Sequence, residues 1–331
     1  MHPNEPLTVV IAAYNEHDAL PLLHARLRPV LDALDMPTYV VYIDDGSSDD
    51  TWAVLQQLAV ADNRIGLLRL SRNFGKERAL TAGLDRVAQG AALVLDADGQ
   101  DPPELIPEFV ARWHAGEDVV YGTRLARDGE SWLKRASASA FYRVMNHLSR
   151  TPIPRDTGDF RLLSRRALDA LGQMRESGRF MKGLFAWVGY RQSAVPYRRE
   201  PRLAGRSKFN YWKLWNFALD GITGFSTVPL RAATYLGVLT ALIAFGFGTW
   251  TILKTLLWGE AVPGYPTLMT VVLFLGGIQL IALGVIGEYL GRLYEESKQR
   301  PLYLVADWRP AGASPAFLPS AEARARANAA L

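Results

Sequence analysis

Ala91-Ala92-Leu93-Val94-Leu95-Asp96-Ala97-Asp98-Gly99-Gln100-Asp101 is the stretch on which the reading of the whole chain turns. Its first five residues are an apolar run with the length and composition of a buried strand. Three carboxylates follow within six residues. Aspartate is seldom buried unless it is paired or bound to a metal, so packing alone gives no reason for such a cluster at a strand end. Asp96 and Asp98 stand two apart, and in an extended segment side chains at that spacing point the same way. Two oxygen ligands on one side suit a hard divalent cation, Mg2+ or Mn2+, which takes its other oxygens from water and substrate phosphates. The same residues also read as an acidic turn capping the helix that opens at Pro102-Pro103-Glu104.

The residues before this stretch alternate between two periods. Thr8 to Ala13 reads as a buried strand, and Asn15, with Asp18 three residues on, as the start of a helix running to about Leu34. Tyr39 to Ile43 is a second strand, ending in Asp44-Asp45-Gly46-Ser47-Ser48. Ser47 and Asp50 then form a second capping box for a helix to about Ala59. Ile65 to Leu70, Lys76 to Val87 and Ala91 to Leu95 continue the pattern as strand, helix and strand. Such alternation predicts a mostly parallel sheet with helices on both faces. In sheets of that kind ligands bind beyond the carboxyl ends of the strands. Ala12-Ala13-Tyr14-Asn15-Glu16, Asp44-Asp45 and Asp96-Ala97-Asp98 all fall at carboxyl ends, so three polar clusters are expected on one rim. Neither Gly-x-Gly-x-x-Gly nor a Walker lysine loop follows the first strand. A nucleotide here must be held by side chains and metal.

Composition bounds the rest. The chain has 331 residues, a net charge of +4 and no cysteine. Disulfide chemistry, thiol chemistry and cysteine-ligated metals are excluded. Basic residues are spread along the chain, which argues against a nucleic-acid arm and allows a basic membrane-facing surface. Met1 to Leu7 lacks the basic and apolar regions of a signal peptide. Ser131 to Leu148 reads as an amphipathic helix, either core-packing or interfacial. Tyr211-Trp212-Lys213-Leu214-Trp215-Asn216-Phe217 resembles an interfacial aromatic belt. Ala232 to Leu253 and Thr267 to Gly287 are uncharged and each long enough to span a bilayer as a helix. Arg231, Arg292, Lys298 and Arg300 flank the pair on its outer sides, which places both chain ends in the cytoplasm. From about Pro310 the chain is Ala-rich with scattered charge and reads as disordered.

The motifs Tyr14-Asn15-Glu16, Asp44-Asp45-Gly46-Ser47, Asp96 to Glu104, Thr157-Gly158-Asp159-Phe160-Arg161-Leu162 and Gly205-Arg206-Ser207-Lys208, followed by the two spans, carry a resemblance. From about Leu7 to Val305 the chain resembles the polyprenyl-phosphate glycosyltransferases of glycosyltransferase family 2, most closely the bactoprenol glucosyl transferase type. Gly99 and Ala12 depart from the pattern, which more often has a bulkier residue such as Leu and a Pro there.

The resemblance implies a GT-A, Rossmann-like α/β domain over residues 1–230, including juxtamembrane helices near 131–148 and 211–225. A transmembrane hairpin over 231–292 would follow, with spans near 232–256 and 267–290, then a partly disordered cytoplasmic tail over 293–331. It implies inverting transfer of a sugar, glucose first, from a UDP-sugar to undecaprenyl phosphate at the inner membrane. Asp45 would bond the uracil, and Ala12, Tyr14, Asn15 and Glu16 would hold base and ribose. Asp98, with Asp96 and Gln100, would hold Mg2+ or Mn2+ beside Ala97. Arg124, Arg206 and Lys208 would bind donor or acceptor phosphates, and Arg161 would also be substrate-binding. Asp159 would lie beside the anomeric carbon, orienting and stabilising more than abstracting a proton, unless it is a turn aspartate paired with Arg161. Homotetramers, a flippase and a downstream glycosyltransferase are the implied partners.

Two other readings compete. A processive polysaccharide synthase needs Gln-x-x-Arg-Trp, and Arg112-Trp113 has Phe109 in place of the Gln. A non-catalytic nucleotide-sugar binder predicts eroded metal and sugar residues, yet all are present.

Overall fold

A computed structural model describes residues 5–125, 157–201, 228–258 and 264–312. Arg206, Lys208, the expected helices near 131–148 and 211–225, and the chain past residue 312 lie outside them.

Four strands form the first half of one sheet: β1 (Leu7–Ala13), β2 (Thr38–Asp44), β3 (Ile65–Leu70) and β4 (Ala91–Val94). They alternate with α1 (Ala19–Asp32), α2 (Thr51–Ala61) and α3 (Lys76–Leu84). After β4 come α4 (Ile106–His114), β5 (Val119–Arg124), β6 (Thr157–Leu163), α5 (Arg165–Gln173), α6 (Met181–Trp187) and β7 (Gln192–Tyr197). The strand order is β7-β5-β6-β4-β1-β2-β3-β8, where β8 is Val305–Arg309. Only β6 and β8 run against the others.

Alternate strand residues feed two separate cores, as a pleated sheet covered on both faces requires. Val9, Ile11, Leu93 and Phe160 pack with Leu20, Leu23 and Leu27 of α1 and Phe109 of α4. Val10, Val41, Ile43 and Val94 pack with Leu80 of α3, Leu168 of α5 and Met181 of α6. Gly83 lets α3 approach closely. A Cβ there would lie 2.6 Å from both Ile43 Cδ1 and Val10 Cγ1.

Two long helices, α7 (Val228–Trp258) and α8 (Tyr265–Ser297), follow the sheet. Each contains a stretch apolar enough to cross a bilayer, Ala232–Trp250 and Phe274–Ser297. Those stretches are 6% and 0% buried, so they are not core helices of a soluble domain. Leu242, Phe245, Leu280 and Leu283 are more than half exposed.

The chain then returns to the domain, where the sequence suggested only a tail. β8 pairs with the β3 edge, Leu68 opposite Trp308, and Ala311 is buried beside it. Five residues with two charges carry little strand signal. An edge strand needs apolar residues on one side only. The end of α8 is also tied down, with the Ser177 N–H donating to Glu296 Oε2 at 2.9 Å.

Candidate active site

The carboxyl ends of β1 and β2 meet through their loops. Asn15 takes a left-handed conformation, φ +54°. Its N–H donates to Ser47 Oγ at 3.0 Å, and its Oδ1 accepts the Ser48 N–H at 2.9 Å. The Glu16 N–H donates to Thr51 Oγ1. Asn15 and Ser47 thus bind one loop to the other rather than capping α1 and α2, whose N-cap residues Asp18 and Asp50 make no side-chain cap bond, the Thr51 N–H going instead to Asp49 Oδ1. The two expected capping boxes are therefore not formed, because these side chains are used across the rim. Tyr14 stands exposed at the edge, while Ala12 and Glu16 are half-buried.

Asp45 reaches sideways. Its oxygens accept the Phe74 N–H at 2.7 Å and the Gly75 N–H at 2.9 Å. Burial pushes its carboxyl up, and those two N–H bonds only partly counter it. Beside it Gly46 has φ +67°, and a Cβ would lie 2.4 Å from the Arg72 carbonyl carbon. Asp45 and Gly46 together clamp the segment 72–75, and that segment delivers Lys76.

β6 brings the decisive residue. It runs antiparallel to β4, so its amino end shares the rim with the carboxyl ends of the others. The ladder ends with Val94 opposite Arg161, and just beyond it the loop after β4 and the start of β6 bring Asp96 and Asp159 to one lysine. Lys76 bridges them, Nζ 2.5 Å from Asp159 Oδ2 and 2.7 Å from Asp96 Oδ1. Burial pulls the Lys76 ammonium down, but Asp159 and Asp96 more than offset this and keep it charged. Burial likewise pushes Asp159 up, and Lys76, Lys182 and Arg161 hold it below the usual carboxylate range. The ion pair of Asp159 is with Lys76 and not with Arg161. Arg161 is buried, its Nη2 donates to the Gly158 carbonyl at 3.1 Å and its guanidinium lies 4.1 Å over the Phe185 ring.

The loop after β4 closes the other side. Asp98 Oδ1 accepts the Gln100 N–H at 3.1 Å, and Gln100 Nε2 donates to the Glu200 carbonyl at 3.0 Å. Ala97 is buried beside them. The Tyr197 hydroxyl donates to Asp101 Oδ1 at 2.5 Å. Burial, then the Asp96 charge, pushes the Asp101 carboxyl up to about 6. Arg124 lies against Gly158, where a Cβ would sit 3.0 Å from Arg124 Nη2. Gly99 has φ +68°. That left-handed turn favours glycine, which accounts for the departure from a bulkier residue there.

Comparison with known proteins now adds identity to geometry. The glycosyl transferase family 2 model matches residues 8–172, and the GtrB C-terminal hairpin model matches residues 228–293. An uncharacterised glycosyltransferase of Synechocystis sp. is 53% identical over 301 residues, 91% of this chain and 95% of the relative. A prophage bactoprenol glucosyl transferase homolog of Escherichia coli K12 is 45% identical over 299 residues, 90% of this chain and 98% of its own. The chain belongs to glycosyl transferase family 2. Among solved structures, a Pyrobaculum calidifontis mannosyltransferase in complex with GDP-Man and Mn2+ is similar at 18% identity and TM-score 0.44, over 99% of this chain and 80% of that one.

At the rim of this glycosyltransferase the described residues offer a cation the carboxylates of Asp96, Asp98, Asp101 and Asp159. Among the described residues no three His, Cys, Asp or Glu side chains are grouped to hold an ion alone. Asp159 Oδ1 and Asp101 Oδ2 are buried without hydrogen-bond partners. Such a set fits Mg2+ or Mn2+, which bind through one or two carboxylates and complete their shell from phosphate and water. Sequence reasoning missed Lys76 as a site residue. A signal was present, because lysine in the first turn of a helix opposes the dipole and asks for an anionic partner.

Proposed function

We propose that this glycosyltransferase moves a hexose, glucose first, from a UDP-sugar to undecaprenyl phosphate at the cytoplasmic face of a bacterial inner membrane. The product, a polyprenyl-phosphate sugar, would serve modification of cell-envelope glycans. The observation that carries the reading is Asp159 brought beside Asp96 on one rim, joined through Lys76, in a chain that continues into an exposed apolar hairpin. Its similarity to proteins named bactoprenol glucosyl transferase supports the lipid acceptor.

The residues take these roles. Ala12, Tyr14, Asn15 and Glu16 hold the uridine, and Asp45, which also holds the 72–75 segment, bonds the uracil. Asp98, assisted by Asp96 and Gln100, holds Mg2+ or Mn2+. When bound, that ion supplies Lewis-acid neutralisation of charge on the departing diphosphate. Arg124, Arg206 and Lys208 take phosphate oxygens, Arg by bidentate contact. Arg161, being buried, positions Gly158 and Asp159 instead. A polyprenyl phosphate is already ionised at neutral pH. Its oxygen attacks the anomeric carbon opposite the UDP, the carbon–oxygen bond to UDP breaks, and configuration inverts. Asp159 orients that encounter and needs to remove no proton. The catalytic domain and both termini lie in the cytoplasm, and a homotetramer with a flippase and a downstream transferase as partners completes the reading.

The test is UDP release by the purified full-length protein from UDP-glucose, UDP-N-acetylglucosamine and a UDP-linked modified arabinose, with and without undecaprenyl phosphate. Release that requires the lipid phosphate and favours glucose is expected. Release that ignores the lipid overturns the acceptor assignment, and no release from any donor overturns the catalytic one.

A further inference from the structure

Lys76 has no role in the assignments above, yet it occupies the centre of the site. It opens α3, where the helix dipole disfavours a cation. Its backbone is fixed, because Asp45 holds the Phe74 and Gly75 amides and Gly46 packs on Arg72 and Asn73. Its side chain is a flexible four-carbon stem, 44% exposed, so the ammonium can move while the helix stays. Asp96 and Asp159 approach the same ammonium from the ends of β4 and β6, and two neighbouring carboxylates repel unless a cation lies between them. That cation is Lys76, within 2.7 Å of both.

We infer that Lys76 is a stand-in cation: it neutralises Asp96 and Asp159 before the donor arrives, and gives up Asp96 when a metal–nucleoside diphosphate complex enters. The inference rests on the metal reading above. A divalent ion arriving alone must compete with a resident ammonium for one of its two carboxylates. An ion arriving with a diphosphate brings anionic oxygens that can receive the displaced ammonium. Metal and nucleotide binding are thereby coupled, and the coupling is reciprocal. Lys76 also keeps the site closed to other cations between turnovers and leaves Asp159 oriented for the lipid phosphate.

The experiment measures Mn2+ binding rather than turnover. Free Mn2+ is followed by electron paramagnetic resonance in titrations of the full-length protein in detergent, with and without UDP. Lys76→Gln, which keeps length and removes charge, should bind Mn2+ without UDP on the order of tenfold tighter than wild type. The enhancement of Mn2+ affinity by UDP should shrink by a similar factor. Lys76→Arg, which keeps the charge, should behave as wild type and so exclude a merely loosened loop. Lys76→Met repeats the measurement if the Gln variant does not fold. Unchanged or weaker Mn2+ affinity without UDP in the uncharged variants overturns the inference, as does undetectable binding in both proteins. Asp98→Asn separates the two failures. If it loses UDP-supported Mn2+ binding while Lys76→Gln shows no gain, only the stand-in role falls. If it binds Mn2+ as wild type does, the metal reading falls and takes this inference with it.

Discussion

On one side of β4 stand β1, β2 and β3, all parallel to it, and each ends in a loop that turns toward the rim. On the other side stands β6, antiparallel to β4, which reaches the same rim with its amino end. The first block contributes Tyr14, Asn15, Glu16 and Asp45, side chains suited to hold a nucleotide. The second contributes Asp159, joined to Asp96 through Lys76. β4 itself belongs to both, and Asp96 and Asp98 lie at the seam. The difference teaches that reversing a single strand lets two independent blocks present carboxylates to one another, and it explains why a lysine must stand between them.

The comparison is broken most severely at the seam. Asp98→Asn keeps shape and removes the charge that a divalent ion needs. The proposed ion would supply several kcal/mol of transition-state stabilisation, so turnover should fall on the order of 10³-fold. Donor turnover by the variant across a Mn2+ titration checks it, and wild-type activity in excess chelator after stripping would contradict it. Asp159→Asn touches only the second block. Turnover should drop on the order of 10²–10³-fold, as for loss of one charge-stabilising group. UDP-glucose affinity by calorimetry should stay near wild type, because interactions made only in the transition state leave ground-state binding alone. Collapse of affinity with the single-turnover rate preserved would move Asp159 into the nucleotide block.

The two blocks also differed in how plainly the sequence declared them. β1 to β4 were legible because buried parallel strands are continuous apolar runs, and helices of ordinary length separate them. Ile65–Leu70 was read to the residue. β6 was singled out as a motif but not read as a strand, since Thr157-Gly158-Asp159-Phe160-Arg161 has no clean alternation and both charged residues are buried. β8 was missed because the pairing that makes it a strand lies more than 200 residues away at β3. Within the site, Asp96 and Asp98 were found from spacing, whereas Lys76 needed the fold. Nothing local to Gly75-Lys76 says that Asp159 will be folded against it. Asn15 and Ser47 looked like helix caps for the same reason, because their cross-loop partners are distant in sequence.

A gentler test acts on the clamp inside the first block. Gly46→Ala forces a side chain into a left-handed position, φ +67°, against the Arg72 backbone. Strain of this kind costs on the order of 1–3 kcal/mol, and the 72–75 segment must move to relieve it. The apparent melting midpoint in detergent should fall by several degrees, and Mn2+ binding without UDP should rise as Lys76 is displaced. A drop in stability with metal binding untouched would show that the clamp serves the fold and not the lysine.

The smallest effect sharpens how Lys76 and Asp159 are insulated. Glu77, next to Lys76, is held with its Oε2 accepting the Met181 N–H at 3.0 Å. Burial first, then the Asp159 charge, pushes its carboxyl from 4.5 up to about 7, while Lys76 and Lys182 pull the other way. Arg161 and Arg179 are the other charged groups near it. The folded protein therefore keeps a proton on Glu77 that the unfolded chain has already released. Stability from this group is fully present below about pH 4.5 and is lost as pH rises through about 7. Asp101, pushed up from 3.8 to about 6, has the same sign but finishes earlier. His24, lowered by burial, has the opposite sign. Both are shared with a Glu77→Gln variant, which keeps an acceptor for the Met181 amide and cannot titrate. The difference between variant and wild type thus isolates Glu77. Between pH 6 and 7.5 the wild-type melting midpoint should decline relative to Glu77→Gln by a few degrees, at about 2–4 °C per kcal/mol. Parallel curves across that window would mean that Glu77 is already ionised in the folded protein. Lys76 would then face three carboxylates instead of two, and displacing it from Asp96 would require a correspondingly larger effect from the incoming diphosphate.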